Sequence, residues 1–259
     1  MSWMRPLGST GMQVSALGLG TVKLGRDQGV KYPQGFIIPD DRAASALLGQ
    51  ARELGINLID TAPAYGNSEQ RLGELLRGQR QHWLICSKVG EEFEQGESRY
   101  DFSPEHTRAS VDRSLRRLNT DVIDIVLVHS DGDDLQIFEH TGAIDALHSL
   151  KQRGLIRAHG MSSKTVQGGL RVVAEMDVVM ATANLTYNEE LPVLQAAAKA
   201  NKGVLIKKGL MSGHLSSDVS AREAMKFVFE QPGVSGMIVG TINPQHLRDN
   251  VRLVEDILR

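Results

Sequence analysis

Four polar side chains offer the most coherent chemistry in this sequence: Asp60, Tyr65, Lys88 and His129. Each ends or closely follows a short apolar run, NLID (57–60), WLICS (83–87) or VIDIVLV (122–128). A phenol has a reference pKa near ~10 and by itself is a slow acid at neutral pH. A nearby ammonium favours the phenolate and draws that pKa down, and Lys88 can act on Tyr65 in this way. Asp60 would then pair with Lys88 and keep it charged and oriented. His129 would hydrogen-bond a substrate oxygen or the phenol. Such a group suits reduction of a carbonyl, with hydride arriving at carbon and the Tyr65 proton at oxygen. The hydride must come from a cofactor, because no side chain donates one. Taken singly, the same residues read as a cap, a packing ring, a surface charge and a satisfied histidine. Only their convergence makes chemistry.

Convergence needs a fold that gathers strand ends. Eight apolar runs can supply it: ALGLG (16–20), NLID, WLICS, VIDIVLV, LIRAHG (155–160), VVMAT (178–182), GVLI (203–206) and SGMIVG (235–240). They are continuously apolar rather than alternating, as expected of parallel strands buried on both faces. Helix signals lie between them. Asp40 or Asp41 caps a run with Ala43, Ala46, Leu47, Ala51 and Leu54 on one side, ended by Gly55. Ser103-Pro104-Glu105 opens another, with Ala109, Val111, Leu115 and Leu118 apolar, and Asn243-Pro244 opens the last.

RPLGSTGMQVSA, ahead of the first run, reads as a hairpin turning at Gly8 and Gly11. The pattern predicts one domain over residues 1–259, a (β/α)8 TIM barrel with an N-terminal β-hairpin, at the ~250 residues typical of that fold. The rival is a doubly wound dinucleotide fold. It rests on GLGT (18–21), which lacks the third glycine of the fingerprint and has no helix signal directly behind it.

In a barrel, functional groups gather where strands end at the C-terminal face. Those ends carry Asp60 with Tyr65, Lys88, His129, Ser162 with Ser163, Asn184, Lys207 with Lys208, and Gly240 with Thr241. The eight histidines show no metal-ligand spacing, so no metal is expected. A net charge of −2 argues against nucleic acid or an anionic membrane as partner, and the basic run RSLRRL (113–118) reads as a solvated helix face. The single cysteine, Cys86, excludes an internal disulfide and reads as a buried filler, which fits a reducing, cytoplasmic setting. Trp3, Trp83 and most methionines read as core. No apolar run reaches the ~20 residues of a membrane span.

LIDTAPAYGNSEQRLGELL (58–76), SKVG (87–90), DIVLVHS (124–130) and GMSS (160–163) resemble the signature segments of the aldo-keto reductases. The resemblance runs from the opening hairpin to the last helix. It implies an NADPH-dependent reductase of aldehydes or ketones, with NADH possible and the cofactor extended across the barrel mouth. Carried over, Asp60, Tyr65, Lys88 and His129 form a catalytic tetrad with Tyr65 as general acid. Gly20, Thr21 and Asp60 line the nicotinamide end, and Ser162, Ser163 and Asn184 the carboxamide region. Lys207, Lys208, Gly209, Leu210 and Ser212 follow the pyrophosphate. Gly240, Thr241, His246, Asp249 and Asn250 hold the adenosine end, and the helix start near Asn243 offers backbone N–H groups to phosphate.

This chain departs from the family pattern at Ser163, Asn184 and Lys207, the last standing where an aromatic ring often stacks on the nicotinamide. Gly240 and His246 replace the usual clamp on a 2′-phosphate. The partner expected is a small carbonyl substrate, in a monomer or small homo-oligomer. EEFEQGESRYDFS (91–103) is either a pocket wall or a solvated connector. Two other functions fit the strand ends: a Schiff-base aldolase with Lys88 as nucleophile, and a cofactor-binding regulatory protein with little turnover.

Overall fold

The computed structural model describes residues 2–214 and 219–259. Two short strands, β1 (Met4–Pro6) and β2 (Gln13–Ser15), pair antiparallel ahead of a closed parallel barrel. The barrel strands are β3 (Leu17–Gly20), β4 (Leu58–Asp60), β5 (Leu84–Val89), β8 (Ile123–His129), β9 (Ile156–Ser162), β10 (Val178–Thr182), β11 (Gly203–Lys207) and β12 (Val234–Val239). They follow one another around the cylinder, and β12 closes on β3. This is the (β/α)8 barrel with its N-terminal hairpin.

Two apolar layers hold the cylinder. Between strands and helices lies the larger cluster, which includes Trp83, Val111, Phe229 and Val254. Inside the barrel, Leu58, Cys86, Ile125, Leu127, Ala158, Met180 and Leu205 meet Leu7, Met12 and Val14 from the hairpin, which plugs the N-terminal end. Cys86 is fully buried there and is a packing group. At the same end Asp124 accepts from Arg80 and Arg157, each at 2.8 Å, over a shallow surface hollow. The chemistry-bearing strand ends lie at the opposite mouth, so this hollow belongs to stability.

The expected helix starts are present. Asp40, Ser103 and Asn243 each accept backbone N–H groups from the first turn of Asp41–Glu53, Pro104–Arg117 and Pro244–Leu258. Their buried faces differ from the simple apolar reading. Ala43, Ala46 and Ala109 are exposed, while Ala44, Leu48, Thr107, Ser110 and Ser114 are buried. Small and hydroxylated residues are neutral enough to lie on either side, so the larger Leu and Val neighbours set the helix phase. Trp3 is only partly buried, because its indole N–H reaches outward to the Gly55 carbonyl at 2.9 Å.

A four-residue helix, Val22–Gly25, follows β3 after all, although the strand belongs to a barrel rather than a doubly wound sheet. Segment 91–103 is neither a plain wall nor a plain connector. It folds into an antiparallel hairpin, β6 (Glu91–Glu94) with β7 (Glu97–Tyr100), closed by Gln95 and Gly96 at positive φ.

Strand β9 depends on a bare backbone position. A Cβ on Gly160 would lie 1.8 Å from the Val178 carbonyl oxygen of β10. Gly160→Ala is expected to cost about 3 kcal/mol or more, at or above the usual range for overpacking. Urea unfolding measures this, and an unchanged midpoint would contradict the register described.

Candidate active site

Strand periodicity decides which side chains reach the mouth. Leu58, Cys86, Leu127 and Leu205 point into the barrel, and residues two positions further along a strand share that face. Those residues are Asp60, Lys88, His129 and Lys207. Ser162 stands beside His129 in the register of β8 and β9. Four strands therefore place an acid, two lysines and an imidazole on the inner face of one rim.

Tyr65 arrives by a turn. After β4 the chain folds back with Tyr65 N–H on the Ala62 carbonyl at 3.0 Å, then enters the helix Ser68–Leu75. Gly66 makes the turn possible: its φ is +60°, and a Cβ there would sit 2.0 Å from the Gly25 oxygen. Arg26 braces the turn from outside, donating to the Ala64 carbonyl at 3.0 Å.

Lys88 is 2% exposed, and its ammonium donates to Asp60 Oδ1 at 2.6 Å and to the Thr61 carbonyl at 2.9 Å. Burial alone would push this ammonium down. The charges of Asp60, Tyr65 and Cys86 and the Asp60 hydrogen bond overcome that and hold it above the ordinary lysine value. Lys88 Nζ lies 4.9 Å from the Tyr65 ring centroid, and the Tyr65 and His129 rings meet edge-on at 6.2 Å.

The phenol corrects a sequence expectation. Lys88 does draw its pKa down, but burial is the larger effect and leaves Tyr65 above the ordinary tyrosine value. Tyr65 is therefore a loaded proton donor rather than a phenolate-prone group.

His129 sits below the usual histidine range. Burial is the main cause, Glu91 pulls upward, and Lys88 and Lys207 push further down. Its Nδ1 lies 2.6 Å from Glu91 Oε2, close enough to pair but off the N–H axis of an aligned hydrogen bond. Lys207 donates to Ser162 Oγ at 2.9 Å and the Ser163 carbonyl at 2.5 Å. Burial lowers its ammonium to about 8, against the pull of Glu190.

A cleft of about 720 Å³ runs from these groups across the mouth to the last helix, within the ~300–1,000 Å³ of small-molecule sites. Of the residues expected there, Gly20, Thr21, Asp60, Tyr65, Lys88, His129, Ser162, Lys207, Lys208, Gly209, Leu210, Ser212, Gly240, Thr241, His246, Asp249 and Asn250 line it. Two expected contacts lie behind the wall. Ser163 is fully buried, with its carbonyl given to Lys207; Asn184 spends its amide N–H on the Lys208 carbonyl at 3.1 Å and its oxygen on Thr186. Both thus hold the lysine pair rather than face the cleft. The helix start near Asn243 is not free either, since Asn243 Oδ1 already accepts from the Gln245 and His246 amides and Pro244 has none.

The sequence reading missed the loop over the mouth. Lys23, Tyr32, Pro33 and Gln34 line the cleft, Lys23 sits 4.0 Å from the Tyr32 ring centroid, and the Lys31 carbonyl lies 3.2 Å from His214 Nε2. The only signal for it is an aromatic and a proline in a long connection.

A long cleft with four lysines along it and polar groups at both ends fits an extended, doubly anionic cofactor. The model of the aldo/keto reductase family matches residues 16–223. A Pseudomonas aeruginosa protein described as an aldo-keto reductase is 56% identical, with TM-score 0.92 over 99% of this chain and 96% of that one. The holo form of a Bacillus halodurans aldo-keto reductase is 26% identical, with TM-score 0.81 over 98% and 91%. An Escherichia coli NADH-specific methylglyoxal reductase is 29% identical over 82% of this chain and 70% of its own.

The Lys88–Asp60 pair predicts a coupled stability effect. Asp60→Asn leaves a buried ammonium uncompensated, and breaking such a pair costs about 3–5 kcal/mol. Adding Lys88→Met should recover much of that loss in chemical denaturation. Additive losses would contradict a directly coupled pair.

Proposed function

The chain belongs to the aldo/keto reductase family, and on that premise we propose how this NAD(P)H-dependent carbonyl reductase divides the work among its residues. Tyr65 gives its proton to the carbonyl oxygen as hydride reaches the carbon. Lys88 stabilises the phenolate that forms as the proton leaves, and Asp60 keeps Lys88 charged. His129 orients the oxygen from the other side. The reduced nicotinamide supplies the hydride; Thr21, Ser162 and Lys207 would hold that end of it, and Lys208, Gly209 and Leu210 its phosphates.

The observation that carries this reading is the buried Lys88–Asp60 contact beside Tyr65. A high phenol pKa and a neighbouring fixed cation are complementary. The first keeps the proton in place before reaction. The second lowers the cost of losing it, an interaction that grows only as charge develops. The same contact weighs against the aldolase alternative, because an ammonium held above its usual pKa has no lone pair to attack a carbonyl.

Cofactor choice follows from the adenosine end. The wall formed by Gly240, Thr241, His246, Asp249 and Asn250 contains no lysine or arginine. Arg248 is occupied by Gln245, with Nη2 to Oε1 at 2.7 Å. A 2′-phosphate would find little charge to pair with and a carboxylate nearby, so NADH should serve alongside NADPH. One relative is itself NADH-specific, which supports the reading.

Two measurements test these assignments. Tyr65→Phe should bind NADPH within about twofold of the parent by fluorescence quenching, yet lose roughly 10³-fold in turnover of 4-nitrobenzaldehyde, the scale of general-acid catalysis. Turnover left intact would refute Tyr65 as the acid. Assayed in parallel, kcat/KM with NADPH and NADH should differ by less than about tenfold, or roughly 1.4 kcal/mol. A preference of about a thousandfold would refute the open adenosine end.

A further inference from the structure

We propose that Glu91 is a positioning residue for His129: it keeps a proton on Nδ1, so that Nε2 is the ring nitrogen that faces the cleft and exchanges a proton there. The inference rests on the carbonyl-reductase reading of the site and adds a residue from outside the four named above.

The chain brings Glu91 into place by a sharp reversal. Directly after β5, Gly90 adopts φ +100°, and a Cβ there would lie 2.3 Å from Phe102 Cε1. The turn leaves Glu91 at the first position of β6, 8% exposed and facing the neighbouring strand end at His129. Its two oxygens are divided. Oε1 accepts from Ser98 Oγ at 2.6 Å and has Arg26 Nη1 at 3.9 Å, while Oε2 lies 2.6 Å from His129 Nδ1. Arg26 is fixed in turn, its guanidinium stacked 3.3 Å from the Phe93 ring centroid and bonded to the Ala64 carbonyl beside Tyr65. One network therefore ties the hairpin to the turns that carry His129 and Tyr65.

The protonation state follows from chemistry. Burial pushes the Glu91 carboxyl up, but His129, Ser98 and Arg26 outweigh it and hold the acid at about 2. An ionised carboxylate only accepts hydrogen bonds, so a ring nitrogen 2.6 Å away presents its hydrogen to it, even along a bent line, rather than turn a lone pair on the negative charge. With Nδ1 so occupied, the variable proton of His129 is on Nε2. A neutral ring then offers a lone pair to an alcohol hydroxyl, and a protonated ring offers N–H to a carbonyl oxygen. Reduction is served by the protonated form and oxidation by the neutral one.

The groups facing His129 set that balance. Lys88 on β5 and Lys207 on β11 oppose its protonation, Glu91 on β6 favours it, and Tyr65 stands edge-on. Glu91 itself faces Arg26, Ser98 and Tyr100. Removing the Glu91 charge leaves the two lysines unopposed, and the protonated ring survives only at lower pH.

The test follows 4-nitrobenzaldehyde reduction with NADPH and 4-nitrobenzyl alcohol oxidation with NADP⁺ across pH, in the parent, Glu91→Gln, His129→Gln and the double variant. Glu91→Gln should move the descending limb of kcat/KM for reduction about one unit toward acid, roughly a tenfold loss above that limb, and cost oxidation several-fold less. In the His129→Gln background it should add nothing. Equal losses in both directions with the limb in place, or a full effect without His129, would overturn the proposal and leave Glu91 a structural residue. If His129→Gln reduces the aldehyde at the parent rate, the reading of the site fails, and the proposal with it. Should Glu91→Gln not fold, ¹⁵N–¹H correlation of the parent His129 ring decides the matter: at a pH where the ring is neutral, a proton on Nδ1 supports the assignment and a proton on Nε2 overturns it.

Discussion

A cation almost sealed from water is the constraint around which this barrel mouth is arranged. Lys88 is almost completely buried, and an unpaired ammonium in such a place would lose its proton or unfold its surroundings. Asp60 prevents both. The pair is set by strand geometry, since the two residues extend the inner faces of adjacent strands. Tyr65 then needs only a turn to reach it, and that turn needs Gly66. The half-buried phenol keeps its proton because its surroundings solvate a charge poorly, and can give it up because the ammonium is near. Both properties come from the same packing.

Around that pair, charge is graded across the cleft. Lys207 and Lys208 bring positive charge to one side of it, and buried Ser163 and Asn184 hold them from behind. Glu91 brings the opposing charge to His129. The imidazole thus lies between a carboxylate and two lysines, and its protonation can respond to substrate and pH where that of Lys88 cannot. A site with one fixed cation and one adjustable imidazole suits a reaction that runs in both directions.

Much of this is legible in the sequence. The eight strands stand out because parallel strands buried on both faces are continuously apolar, and the tetrad stands out because Asp60, Lys88 and His129 end such runs. Tyr65, a phenol just beyond a strand-ending acid, is returned to Lys88 by the turn after β4. Other features depend on three-dimensional balance. Whether Lys88 or burial dominates Tyr65 is a matter of depth, which residue types do not encode. Ser163 and Asn184 sit at strand ends yet point away from the cleft. Alanine carries too little apolar signal to set a helix phase, so Ala43, Ala46 and Ala109 fall on the exposed side. Glu91 is hidden among the other acids of 91–103 until Gly90 turns the chain, and Tyr32 reaches the cleft through a loop with no periodic pattern.

The central claim is that Lys88 eases proton loss from a phenol that burial holds back. The most direct measurement is the titration of Tyr65 by ¹³Cζ-tyrosine NMR in the parent and in Lys88→Met, with Tyr65→Phe assigning its signal among the four tyrosines. The account requires the phenol to titrate above free tyrosine in the parent and higher still without the lysine. A Tyr65 that titrates at or below the free value, or that does not move when Lys88 is removed, would contradict it.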